Sequence, residues 1–78
     1  MPKLNPVSPK KLIKILLYLG FREERIKGSH HFYFNKNTGK TTTVPIHGNE
    51  QLSVGILKEI LKDIELSVEE YEKLRQKI

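Results

Sequence analysis

The run His30-His31-Phe32-Tyr33-Phe34, followed by Asn37-Thr38-Gly39-Lys40 and then Thr41-Thr42-Thr43-Val44, admits few folds. Aromatic and β-branched residues lose side-chain freedom in a helix but pack well on a pleated surface. The Asn-Thr-Gly-Lys tetrad is a turn in which Gly39 can take positive φ. The two runs therefore predict neighbouring antiparallel strands, and Pro45, which has no N–H to give a ladder, stops the second. From Phe21 to Lys27 the pattern is polar and only weakly alternating, which predicts a short strand leading into a turn at Lys27-Gly28.

Helical spacing brackets this β region. Ser8-Pro9 is a helix start, a Ser cap with Pro at the first position, where its missing N–H is not needed. Leu12, Ile13, Leu16 and Leu17 then make an apolar stripe, with Lys10, Lys11 and Lys14 off it, and Gly20 supplies the C-terminal glycine. After a loop from Ile46 to Leu52, Ser53 caps a second helix with Ile56, Leu57, Ile60, Leu61 and Ile64 as its stripe. Ser67-Val68-Glu69-Glu70 is a capping box that opens a terminal helix with Val68, Tyr71 and Leu74 inward. The order is α-β-β-β-α plus an extra C-terminal helix: an α+β domain with a three-stranded antiparallel sheet and helices on one face. Residues 1–78 form a single domain, with 1–7 expected as a flexible arm and 67–78 as a helical extension that packs on the domain edge or docks to a partner.

With helices covering one side, the sheet keeps an open side. Strand alternation divides the aromatic run into His30/Phe32/Phe34 and His31/Tyr33/Asn35, and only one set can pack inward. Burying the phenylalanines carries His30 inward and leaves His31 and Tyr33 exposed. Burying Tyr33 exposes His30 with two phenylalanines, a stacking platform for unpaired bases. The pattern leaves both arrangements open.

At 78 residues the core is small, so chemistry belongs on a surface, where a large substrate can reach it. The excess of 14 Lys and Arg over 9 Asp and Glu, a formal charge of +5, favours a polyanionic partner. The absence of cysteine excludes disulfides, thiolate nucleophiles and zinc–thiolate sites together, and fits a reducing compartment, the cytoplasm. No apolar run reaches the ~18 residues of a membrane span, and Met1-Pro2-Lys3-Leu4-Asn5-Pro6 lacks the apolar stretch of a signal peptide. Adjacent His30 and His31 point to opposite faces, so the three histidines make a poor chelating set and no metal is expected. The acidic pairs, such as Glu69-Glu70, fall on helical surfaces away from the histidines, which leaves metal-dependent nuclease chemistry without support.

Several segments together resemble the HicA-type toxins, small mRNA interferases (YcfA-like) of HicAB toxin–antitoxin systems. They are Leu12-Ile13-Lys14 to Leu19-Gly20-Phe21, Lys27-Gly28-Ser29-His30-His31, Val44-Pro45-Ile46-His47-Gly48, Val54-Gly55-Ile56-Leu57 to Ile60-Leu61-Lys62, and Leu66-Ser67-Val68-Glu69-Glu70. The resemblance implies a double-stranded-RNA-binding-like fold and a cytoplasmic endoribonuclease acting on messenger RNA without a cofactor. It implies a HicB-type antitoxin as protein partner, and no action on DNA, because the route uses the ribose 2′-OH. The catalytic residue implied is His30 or His31, with His30 favoured because an aromatic at Tyr33 suits a core contact. A neutral imidazole, with a reference pKa of about 6.5, can accept the 2′-OH proton. Charge on the phosphorane would be met by Lys27, the amides of Gly28 and Ser29, or Lys40. His47 or the second motif histidine is a candidate acid for the leaving oxygen, and Lys10 and Lys14 are candidate phosphate contacts. The alternative is a non-catalytic RNA-binding module on the same fold.

Overall fold

Three serines set where the helices begin. In the computed structural model, which describes residues 3–78, the Ser8, Ser53 and Ser67 hydroxyls accept from the amides of Lys11, Ile56 and Glu70 at 3.1, 3.2 and 3.1 Å. Each such cap contributes about 1 kcal/mol. They open α1 (Pro9–Tyr18), α2 (Val54–Asp63) and α3 (Val68–Lys77). At Ser67 the box closes, since its hydroxyl also donates to Glu70 Oε1 at 3.1 Å. The exit of α1 is a Schellman motif: Phe21 N–H donates to the Leu16 carbonyl at 2.9 Å and Gly20 N–H to that of Leu17 at 3.1 Å. The motif needs a left-handed residue, and Gly20 takes φ +103°. The exit of α2 repeats it with Glu65 at φ 54° in the glycine position.

Between α1 and α2 the chain runs β1 (Arg22–Lys27), β2 (His30–Phe34) and β3 (Thr41–Pro45) as an antiparallel meander in that order. The β1–β2 link is Gly28-Ser29 alone. Gly28 has φ +60° and Ser29 does not share the positive φ, which is the type II′ pattern that matches strand twist. On β1, Arg22 pairs with Phe34 and Glu23 with Tyr33, then the register slips so that Arg25 pairs with Phe32, Ile26 with His31 and Lys27 with His30. Glu24 is the extra residue of this bulge.

The pleat now has an answer to which set faces inward. Tyr33 and Asn35 are buried and His31 half-buried, while His30 is exposed. Thr42 and Val44 of β3, paired with Tyr33 and His31, are buried on the same side. Against them pack Leu12, Ile15 and Leu16 of α1 with Leu57, Ile60 and Leu61 of α2, in one cluster that also takes in Tyr71. Full burial of such side chains stabilises by about 1.5–3 kcal/mol each. Two polar ties reinforce it. Asn35 Nδ2 donates to the Leu19 carbonyl at 3.1 Å while its Oδ1 accepts from Asn37 N–H at 2.9 Å, and Thr42 donates to Asp63 Oδ2 at 2.9 Å.

The α-β-β-β-α-α order and the helix-covered sheet agree with the expected double-stranded-RNA-binding-like α+β fold. Two expectations need correction. Leu17 and Ile56 are 42% and 40% exposed, because the inward stripe of α1 runs through Leu12, Ile15 and Leu16 and that of α2 through Leu57, Ile60 and Leu61. The segment expected to be a flexible arm is held from Leu4 onward. Leu4 and Val7 are core residues, and Val7 exchanges both backbone hydrogen bonds with Leu52, at 3.2 and 2.7 Å. Met1 and Pro2, also in that expected arm, lie outside the described residues. The terminal helix packs on α1 with Tyr71 fully buried, so residues 67–78 contribute to the core. No described helix is long and apolar enough to cross a membrane.

Candidate active site

The two motif histidines leave the same two-residue turn and go to opposite sides of the sheet. His31 lies on the helix side, where its Nδ1 stands 2.9 Å from Glu23 Oε1; the imidazole is about 20% exposed. That bond staples β2 to β1. The same carboxylate adds to burial in raising the Tyr33 phenol above its ordinary pKa, with burial the larger cause.

His30 stands on the open side, exposed, opposite Lys27 on β1 and Pro45 on β3. Its ring stacks on Phe32, with centroids 6.5 Å apart and planes inclined by 29°. The Arg25 guanidinium carbon lies 4.6 Å from the Phe32 centroid, a cation–π contact. Phe34, half-buried, continues the row and lines a cavity of about 310 Å³ with Gly20, Arg22, Lys36 and Asn37. Arg22 is fixed there by donating to the Leu17 and Phe21 carbonyls at 3.1 and 2.7 Å.

The bulge sorts the charges of β1. In an unbroken strand Arg22 and Arg25, three residues apart, would face opposite sides. With Glu24 absorbed as the extra residue, Arg22, Arg25 and Lys27 all share register positions with the open-face residues Phe34, Phe32 and His30, while Glu23 goes to the helix side. Bulges re-aim side chains in this way beside functional sites.

The remaining expected residues divide into those brought near His30 and one that is not. Lys27 ends β1 as the ladder partner of His30, and Gly28 and Ser29 form the turn itself. The Ser29 carbonyl accepts from Ile46 N–H at 2.8 Å, which brings the start of the β3–α2 loop, and with it exposed His47, to within a residue of the turn. The same loop lies along α1: Ile46, Gly48 and Asn49 line a groove of about 590 Å³ with Ser8, Pro9, Lys10, Ile13 and Lys14. Lys10 and Lys14 are thus joined to the turn through the His47 loop. Lys40 is not joined to it. It sits at the Phe34 end of the sheet, four residues or roughly 13 Å along β2 from His30, and its ammonium is 3.2 Å from Glu65 Oε2. Arg25 and Glu23, which sequence reasoning did not single out, are the residues the structure adds. Among the described residues no cluster of His, Cys, Asp or Glu could hold a metal ion.

An exposed imidazole and three cations on a sheet face make a surface suited to proton transfer beside a phosphate. No curated protein matches this chain. The family profile described as HicA toxin of bacterial toxin–antitoxin does match, over residues 9–66, from the first residue of α1 through the residue after Glu65. That match takes in the whole sheet, both flanking helices and the His30 turn, so the chain belongs to the HicA toxin family.

Proposed function

We propose that this toxin is a metal-independent endoribonuclease that cuts messenger RNA with His30 as general base. The observation that carries this reading is the placement of His30: exposed, on the open face, opposite Lys27 and one residue beyond the Gly28-Ser29 turn. His31 is engaged by Glu23 on the other side and holds the two strands together.

In the reaction, the unprotonated His30 nitrogen takes the proton of a ribose 2′-OH. The 2′-oxygen attacks the adjacent phosphorus, and the bond from phosphorus to the 5′-oxygen breaks. The products are a 2′,3′-cyclic phosphate and a 5′-hydroxyl, the leaving oxygen receiving its proton from His47 or water. Lys27, Arg25 and the turn amides meet the charge that grows on the phosphorane oxygens. DNA, lacking the 2′-OH, is spared. A HicB-type antitoxin silences the enzyme by covering His30 and its cations, and the pair operates in the cytoplasm, where messenger RNA is available.

The test is cleavage of an unstructured RNA in EDTA, with a DNA control of the same sequence, comparing wild type, His30→Ala and His31→Ala after circular dichroism shows each folded. Cleavage of RNA alone, lost by a factor of about 10² or more in His30→Ala, is the expected result. Loss in His31→Ala with the fold intact would assign the base to the other histidine. Wild-type protein that binds RNA without cutting it would establish the non-catalytic RNA-binding module instead.

A further inference from the structure

We infer that the open sheet face binds unpaired RNA, with successive bases splayed onto the His30/Phe32/Phe34 row, so that the substrate is single-stranded despite the double-stranded-RNA-binding-like fold. This rests on the nuclease reading for its link to catalysis, but the binding face stands on its own geometry.

The argument is one of spacing and charge. Alternate side chains of a strand stand about 6.6 Å apart, and the His30 and Phe32 ring centroids are 6.5 Å apart. Stacked bases rise only about 3.4 Å per step, so neighbouring bases of a duplex cannot meet neighbouring rings of this row. Bases pulled out of their stack can, and unpaired RNA is held in this way on aromatic and guanidinium planes. Phe34 offers one such surface and the Phe32–Arg25 pair the next, with His30 at the end of the row beside the ribose it would deprotonate.

The cations fit the same occupant. The bulge sends Arg22, Arg25 and Lys27 to this face and leaves Glu23 on the other, so β1 forms a basic rail alongside the aromatic row. A backbone lying along that rail neutralises its phosphates while its bases turn toward β2. Lys36, beside Phe34, extends the rail past the end of the row.

The experiment uses 2′-O-methyl oligonucleotides, which cannot be cut by this route, so that binding is measured apart from catalysis. Anisotropy compares an unpaired strand with the same sequence closed in a hairpin stem, for wild type, Phe34→Leu, Phe32→Leu and Arg25→Gln, with Lys77→Gln on α3 as a control for lost charge. Leucine keeps bulk but removes the flat face, and thermal melting confirms that each variant is folded. The unpaired strand should bind at least about tenfold tighter than the stem, and each Phe→Leu change should weaken it by about 5- to 50-fold, with Lys77→Gln within about twofold. In the wild type, the Phe32 and Phe34 ring resonances should shift on titration.

Equal or tighter binding of the stem, or unpaired-strand affinity indifferent to both Phe→Leu changes, would overturn the inference. So would ring resonances that stay still. The two readings fail separately. A protein that binds unpaired RNA on this face and never cuts it refutes the nuclease alone, and one that cuts RNA with a KM unmoved by Phe34→Leu refutes the platform alone.

Discussion

On the helix side of β2, the side chains are engaged with the protein itself. His31 is met by Glu23, Asn35 by the Leu19 carbonyl and the Asn37 amide, and Tyr33 is packed under α1 and α2. On the open side of the same strand, His30 and Phe32 rest on one another, with Arg25 over Phe32, and His30 is exposed. Six consecutive residues, His30 to Asn35, thus divide between the two sides by alternation. One side packs against the helices and folds the protein, and the other is left open to solvent.

The sharpest way to break this contrast is to truncate neighbours on opposite sides. Tyr33→Ala should cost about 3–5 kcal/mol by urea denaturation, whereas Phe32→Ala, which loses only half-buried area, should cost about 1 kcal/mol. Equal costs would mean that the open face is structural after all. Next comes Asn35→Ala, expected to lose about 1–3 kcal/mol because it orphans the Leu19 carbonyl and the Asn37 amide. Melting temperature would register it.

Alkaline pH sharpens the comparison further. The Tyr33 phenol is raised above its usual 10.0 by burial, and then by Glu23. Its contribution to stability is therefore full below about pH 10 and lost as pH rises through the raised folded value. Tyr71, raised mainly by burial, adds to the same loss. Tyr33→Phe should flatten the fall in stability above pH 10, followed by denaturant titration at each pH, and a fall of unchanged slope would assign it elsewhere. The smallest effect belongs to Arg25→Gln, which removes one exposed cation–π contact and should change stability by only about 0.5 kcal/mol, so a large change there would make Arg25 part of the scaffold.

The helices were legible because their signals are local: a serine hydroxyl, a glycine three residues after a leucine, a glutamate three after a serine. The strands β2 and β3 were legible for the same reason. Which side of β2 faces inward was not, since both alternating sets carry aromatics of similar size. The tie is broken across the ladder by Val44, the one apolar residue in Thr-Thr-Thr-Val, which pairs with His31 and points where Tyr33 points. Using it requires the register, which the aromatic run does not print. Strand β1 read weakly because the bulge at Glu24 breaks its period of two, and the same break hid the grouping of Arg22 with Arg25 and Lys27. Leu4 and Val7 escaped notice because two apolar residues among prolines make no periodic pattern, and only Leu52, forty-five positions away, reveals their role. Of the site residues, the turn and His47 lie close together in the structure, whereas Lys40, just ahead of β3, sits at the other end of the hairpin.

The clasp between Val7 and Leu52 has a practical meaning for anyone handling the molecule. Leu52 ends the loop that begins at Ile46, and Ile46 is fastened to Ser29, so the stretch carrying His47 is moored at both ends, one of them to the start of the chain. A bulky fusion joined ahead of Leu4, or a trimming that removes Val7, casts off one mooring of a loop that is bonded to the Gly28-Ser29 turn. An apparent loss of toxicity in such a fusion then reports on the tether, and a fair assay carries its tag elsewhere.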